Sequence, residues 1–318
     1  MNPIDIVLWP IKWVIEAILV SFHTIITSLG MDPDDGLTWV LSIVGLVLVV
    51  RALLIPIFVR QIKSQRRMME VAPQLKKIQD KYRGKKDQFS REAMSRETME
   101  MYKKTGTNPL ASCLPLLIQM PIFFGLFSVL QNAQHEQIGV GLLNKDLSTS
   151  FGESVLFGVA PLKLAMSSAD GNVWVIVIAL VMVILMTASQ FITQLQIMSK
   201  NQSPEMKASP AYKQQRILLY ILPLVFAFSG FAFPLGVMFY WLTSNAWTMV
   251  QQFIVIRNMP TPGSEAALAR ESRMAKKRQR RGITVTEIAT PVVEEPKKVQ
   301  RVQPVNKNRA KKQTGNKK

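Results

Sequence analysis

Five runs of this sequence have the length and apolarity of membrane-crossing helices and carry almost no charge: residues 37–59, 109–131, 173–196, 217–233 and 235–256. A bilayer core about 30 Å thick takes roughly 20 apolar residues of helix to cross. Backbone in lipid must satisfy its own hydrogen bonds, so these runs predict an all-α polytopic membrane protein. The fourth run is short, and Pro234-Leu235-Gly236 joins it to the fifth with almost no loop.

The charge lies between the runs. Of 39 Lys and Arg residues, 35 fall in residues 60–107, 197–216 and 257–318, and the net charge is +18. These three stretches share one face. The opposite face, residues 1–36, 132–172 and the turn before the last run, holds only Lys12, Lys145 and Lys163 against nine acids. Loops rich in Lys and Arg stay in the cytoplasm, which predicts a cytoplasmic carboxyl terminus. With five spans the amino terminus lies outside.

Residues 1–36 have another pattern. Ile4, Leu8, Ile11, Ile15, Ile18, Phe22, Ile25 and Leu29 recur at helical spacing, and Asp5, Lys12, Glu16, His23 and Thr27 form a polar stripe. This is an amphipathic helix, expected to lie in the membrane interface with Trp9 and Trp13 at headgroup level. Charge parity does not distinguish that arrangement from a sixth span.

Ordinary catalytic and metal sites have little to build on. Cys113 is the one cysteine, and His23 and His135 lie far apart and outside the main runs. A Cys-based zinc cluster needs two or more thiolates. No GxSxG, HExxH, CxxC or GxxxxGK motif occurs. The expectation is a protein without covalent catalysis, metal or cofactor.

Arg51 sits inside Leu46–Ile55, an otherwise apolar stretch. Such a placement costs about 2.5–3.5 kcal/mol on insertion scales. Two readings stand. Arg51 is about 12 Å along the helix from its cytoplasmic end, and a long side chain covers part of that distance by snorkelling. Alternatively it faces a wet cavity and attracts an acidic group. No Asp or Glu occurs in the five runs to pair with it. Ser112, Gln119, Gln190, Gln194, Tyr240, Trp241, Thr243, Ser244, Asn245, Gln251 and Gln252 are the polar and amphipathic residues available to wall that cavity, or to tie helices together.

Residues 60–107 carry a net charge of +8 and are rich in helix formers. Pro73 and Arg83-Gly84-Lys85 predict two helices folded as a cytoplasmic hairpin. Met68, Met69, Met94, Met99 and Met101 offer adaptable apolar contacts. The tail, residues 257–318, has 17 basic residues, five acidic ones and no aromatic. It reads as disordered, suited to binding phosphate backbones such as ribosomal RNA, or anionic lipids, without sequence readout. DNA is not among the expected partners.

Three motifs carry a resemblance: Val50-Arg51-Ala52-Leu53-Leu54-Ile55-Pro56 in the first run; Asn108-Pro109-Leu110 and Cys113-Leu114-Pro115-Leu116-Leu117-Ile118-Gln119-Met120-Pro121-Ile122-Phe123 in the second; Tyr240-Trp241-Leu242-Thr243-Ser244-Asn245 with Gln251-Gln252 in the last. Together they make residues 37–256 resemble the YidC-type membrane protein insertases, which have relatives in mitochondria and chloroplasts. The resemblance implies a five-helix core around a hydrophilic groove open to the cytoplasm and to lipid, with Arg51, Gln119, Gln190, Gln194, Tyr240, Trp241, Ser244 and Asn245 in its walls. It also implies insertion and chaperoning of nascent membrane proteins in the bacterial cell membrane, alone or with the Sec translocon. The large extracytoplasmic domain of some family members and the lipoprotein cysteine of others do not occur in this sequence. A small secondary transporter or channel is the alternative, although no internal repeat or intramembrane acid supports it. An intramembrane protease needs a serine and a histidine within the runs.

Overall fold

The computed structural model describes residues 3–85, 87–107, 114–207 and 210–281. Asn108–Cys113 of the second motif, Ser112 among them, and residues 282–318 of the tail lie outside the described residues. The chain divides into two units, Met1–Ser272 and Arg273–Lys318. Only the end of the last helix is described in the second.

Among the described residues the secondary structure is helical apart from one short strand pair. The helices are α1 (Pro3–Ser28), α2 (Gly36–Lys81), α3 (Gln88–Thr105), α4 (Leu114–Gln134), α5 (Lys145–Glu153), α6 (Val173–Lys200), α7 (Pro204–Lys207), α8 (Pro210–Ala232), α9 (Leu235–Asn258) and α10 (Glu265–Arg280). Among the described residues, Ile6–Ser28, Gly36–Met68 and Val173–Lys200 are long and apolar enough to cross a membrane.

The bundle core collects Leu19, Trp39, Ile43, Leu46, Leu130 and Met186, all fully buried, from α1, α2, α4 and α6. Helix α6 packs on both α8 and α9. A Cβ added at Gly230 of α8 would overlap the Val183 side chain of α6, so that contact needs glycine.

Three structural expectations are corrected. First, α2 runs unbroken through Pro56 and Pro73, so the first membrane helix and the first hairpin helix are one 46-residue rod. A proline removes one backbone donor and crowds the preceding turn, but the rest of the ladder carries a long helix across it. The chain reverses only at Arg83-Gly84-Lys85, where Gly84 has φ +84°. Second, the polar stripe of α1 does not face solvent: Lys12, Glu16 and His23 are buried within the protein, while Ile6, Val7, Trp9, Trp13 and Val14 are exposed. Buried polar groups need hydrogen-bond partners, and the fold supplies them on this side of α1. Third, residues 265–280 are helical where the tail reads as disordered. Ala266, Ala267, Leu268 and Ala269 supply helix propensity at its start, and basic residues complement its carboxyl-terminal dipole.

The hairpin of α2 and α3 has a small core of its own, in which Val71, Ile78 and Met101 are buried and Leu75, Tyr82, Met94 and Tyr102 pack around them. Asp87 caps α3 by accepting from Ser90 N at 2.8 Å. The same Ser90 contacts hold the Asp87 carboxyl below its ordinary range. A depressed carboxylate stabilises above its unfolded pKa and loses that contribution as pH falls through the folded one. The protection of the Ser90 amide, its exchange measured against the intrinsic rate at each pH, should therefore fall at acid pH in the native protein. In Asp87→Asn the cap remains and the acid-dependent step should disappear.

Residues 135–172 form the loop end of the bundle and fold into a packed cap. Asn144 caps α5 through Leu147 N at 2.9 Å. Strands β1 (Val155–Leu156) and β2 (Ala160–Pro161) pair antiparallel, with Val155 opposite Pro161. Leu143, Phe151 and Leu162 are fully buried beneath them. Two free amides at the start of α9 find acceptors here: Leu235 N donates to Leu164 O at 3.0 Å and Gly236 N to Leu162 O at 3.1 Å. The cap thus replaces the side-chain capping that Pro234 cannot supply.

Candidate functional site

Arg51 lies on the face of α2 that also presents Val47, Val50 and Leu54. Helical spacing brings Gln119, Ile122 and Leu126 of α4 onto one face, and Tyr240 and Ser244 of α9 onto another. Arg51, Gln119 and Tyr240 meet at a small cleft walled otherwise by Val47, Val50, Leu54, Ile122 and Leu126. It has room for about one water molecule.

Within this site the Arg51 guanidinium donates to Ser244 Oγ through Nη2. Gln119 Nε2 donates to Tyr240 Oη at 3.4 Å. Ser244 and Tyr240 are themselves buried. Among the described residues no carboxylate forms an ion pair with Arg51; Lys81–Glu97, Lys145–Glu136 and Lys207–Glu265 pair elsewhere. A charge held by a neutral hydroxyl in largely apolar surroundings keeps most of its attraction for an anion.

Four of the residues singled out in the sequence therefore come together: Arg51, Gln119, Tyr240 and Ser244. The others sit differently. Trp241 stacks on Phe123 with centroids 5.8 Å apart and meets Phe233 edge-on at 4.9 Å, so its ring belongs to an aromatic cluster with Phe127. Gln190 and Gln194 lie on α6, and the Gln194 Oε1 atom is buried without a hydrogen-bond partner. Asn245 follows Ser244 on α9, and its Nδ2 is likewise buried and unpartnered. The apolar walls of the cleft were not legible beforehand, since Val47, Ile122 and Leu126 look like any core positions.

A second polar cluster went unread in the sequence. The Glu16 carboxylate accepts from Val140 N at 2.9 Å and from Gly141 N at 2.6 Å, tying α1 to the loop after α4. His23 stacks on Trp39 at 4.0 Å, and its Nε2 lies 2.9 Å from Pro33 O. A carbonyl only accepts, so Nε2 carries the hydrogen. Gly139-Val140-Gly141 was the available signal, because closely spaced glycines mark close backbone approach.

Three helices among the described residues are long and apolar enough to cross a bilayer, and one of them carries the half-buried Arg51, which defines a polytopic membrane protein. Comparison with known proteins narrows the class. The profile of the family described as 60Kd inner membrane protein matches residues 31–262. The chain is 44% identical over 313 residues to the membrane protein insertase YidC of Tropheryma whipplei (strain Twist), covering 96% of each. It is 42% identical over 275 residues to the YidC insertase of Streptomyces avermitilis, covering 84% of this chain and 61% of that relative. Identity to the Bifidobacterium longum (strain NCC 2705) YidC insertase is 34% over 273 residues, covering 84% of this chain and 80% of the relative. The chain belongs to the YidC family of membrane protein insertases and is a protein of the bacterial membrane.

Proposed function

We propose that this protein inserts integral membrane proteins into the bacterial cell membrane and assists their folding, with Arg51 as the group that first attracts a client's hydrophilic segment. The observation that carries this reading is Arg51 itself, embedded in an apolar helix and held by Ser244, with no carboxylate paired to it among the described residues.

The physical sequence has three parts. In this reading an acidic client segment enters between α2, α4 and α9 and reaches Arg51 at the cleft. One Arg–carboxylate attraction at about 4 Å and an effective dielectric near 20 is on the order of 4 kcal/mol before desolvation is subtracted. That magnitude recruits the segment without trapping it. Transfer of the client's hydrophobic span into lipid, at about 25 cal/mol per Å² of apolar surface, then drives the segment onward without nucleotide. Ser244 keeps Arg51 oriented, and Gln119 and Tyr240 bond to each other beside it at the cleft.

In this reading the hairpin, the α6–α8 connection and the tail all face the cytoplasm, as their Lys and Arg content requires. The exposed basic residues of α10, among them Arg270, Lys277 and Arg280, suit ribosomal RNA or anionic lipid phosphates. Cooperation with the Sec translocon belongs to the same reading.

The test is insertion of a short single-span client with an acidic tail into liposomes containing the purified protein. Native protein and Arg51→Lys should insert the client, and Arg51→Ala should lose most of that activity. Equal insertion by all three would reduce Arg51 to a structural role. No insertion above empty liposomes, across several clients, would overturn autonomous insertion.

A further inference from the structure

At the loop end, the turn joining β1 to β2 carries a bulky apolar side chain at its tip. Phe157 has φ +53° and Gly158 φ +70°, and Val159 N donates to Leu156 O at 3.1 Å. Positive φ at both central positions is the pattern of a type I′ turn, which ordinarily selects Asn, Asp or Gly. A phenylalanine there is a backbone outlier, and its ring is 70% exposed. Neither the hairpin nor the core beneath it uses that ring.

Its position supplies the explanation. Asn172 Nδ2 donates to Val159 O at 2.9 Å, while Asn172 Oδ1 accepts from Trp174 N at 3.0 Å and caps α6. One side chain therefore ties the turn to the first residues of a helix long and apolar enough to cross the membrane. Trp174 is 57% exposed at that end of α6, and an exposed apolar stripe, Val173, Val177, Leu180 and Ile184, continues from it along the helix. A stripe of this kind on a helix apolar enough to cross a membrane suits acyl chains, and Asn172 ties the turn that carries Phe157 to the end of α6 where the stripe begins. Aromatic rings concentrate at the depth where acyl chains meet headgroups.

We propose that Phe157 and Trp174 form a lipid-interface anchor, in which the headgroup–acyl boundary of the leaflet at the loop end covers both rings and sets the depth of α6. The strained turn persists because it aims Phe157 at that boundary, and Asn172 keeps the two rings together. The occupant is bilayer lipid, because the patch is continuous with the lipid-facing side of α6.

The test places a nitroxide at Phe157→Cys or Trp174→Cys, each in a Cys113→Ser background of the full chain in liposomes, and compares collision rates with oxygen and with a water-soluble nickel chelate. Phe89→Cys on the charged hairpin, where Phe89 is 84% exposed, is the aqueous reference. Positions 157 and 174 should both show an oxygen-to-nickel ratio above that of position 89, at interfacial depth. A ratio at 157 equal to that at 89 would overturn the anchor. So would protection from both reagents, which indicates a second protein copy over the patch. In Phe157→Asn, whose side chain tolerates positive φ and keeps the turn, the ratio at position 174 should fall toward the aqueous value. An unchanged ratio at 174 in that variant would remove Phe157 from the anchor.

Discussion

Replacing Trp39 with alanine is expected to cost about 3–5 kcal/mol of stability, the range for deleting a large buried aromatic side chain. Trp39 is fully buried where α1, α2 and the loop-end cap meet. Its ring stacks on His23, meets Phe151 edge-on at 5.1 Å, and donates from Nε1 to Ser150 Oγ at 3.1 Å. Ser150 Oγ in turn donates to Pro33 O at 3.1 Å, the acceptor that His23 also uses. The substitution thus opens a cavity and removes the donor on which Ser150 is placed. Thermal unfolding in detergent or nanodiscs should drop by on the order of 10 °C. Trp39→Phe keeps one aromatic ring and loses the N–H and the second ring, so it leaves a smaller cavity and its loss should be clearly smaller. Equal losses would locate the effect in the hydrogen bond, and no loss in either would mean the cap is not coupled to the bundle.

Glu16→Gln is the second large effect, at about 1–3 kcal/mol. The two carboxylate oxygens each take a backbone amide, from Val140 and Gly141. A glutamine has one oxygen, so its amino group is turned toward an N–H that also donates, and one buried amide loses its partner. The site has no room to rearrange: a Cβ at Gly139 would collide with the Glu16 carboxylate, and one at Gly141 with the Trp13 ring. Gly139→Ala should therefore reproduce much of the Glu16→Gln loss, and the double variant should fall short of the sum, since both break the same contact. Limited proteolysis of residues 135–144, with thermal unfolding, measures it. Additive losses would show that the two positions act separately.

The buried polar face of α1 shows where reading along the chain reaches its limit. The periodicity of Lys12, Glu16 and His23 is plain in the sequence, but spacing alone says only that these residues share a side. In water that side would be the outer one. Here the Val140 and Gly141 amides, more than a hundred residues away, supply partners for Glu16, and Pro33 O supplies one for His23, so the polar side turns inward. Pro73 illustrates the same limit, because local preference favours a break there and the 46-residue helix continues through it.

At the candidate site the division follows residue type. Arg51 stands out in the sequence because a charge in an apolar run is costly wherever the helix packs. Tyr240 and Ser244 are legible as a pair because they are four residues apart on one helix. Trp241, their neighbour in sequence, joins Phe123 and Phe233, since adjacent residues on a helix point about 100° apart.

By itself the sequence determined the all-α membrane class, the long apolar helices, the hairpin reversal at Gly84 and the isolated charge at Arg51. Each follows from hydropathy, length or backbone freedom, which act within a few turns of chain. Only the tertiary structure decided which face of α1 is buried, that Ser244 holds Arg51, that Gln119 meets Tyr240, and that the loop-end cap satisfies the first amides of α9. These depend on contacts between residues far apart in the chain, where the cost of an unpaired buried polar group is settled by whichever partner the fold brings within hydrogen-bond reach.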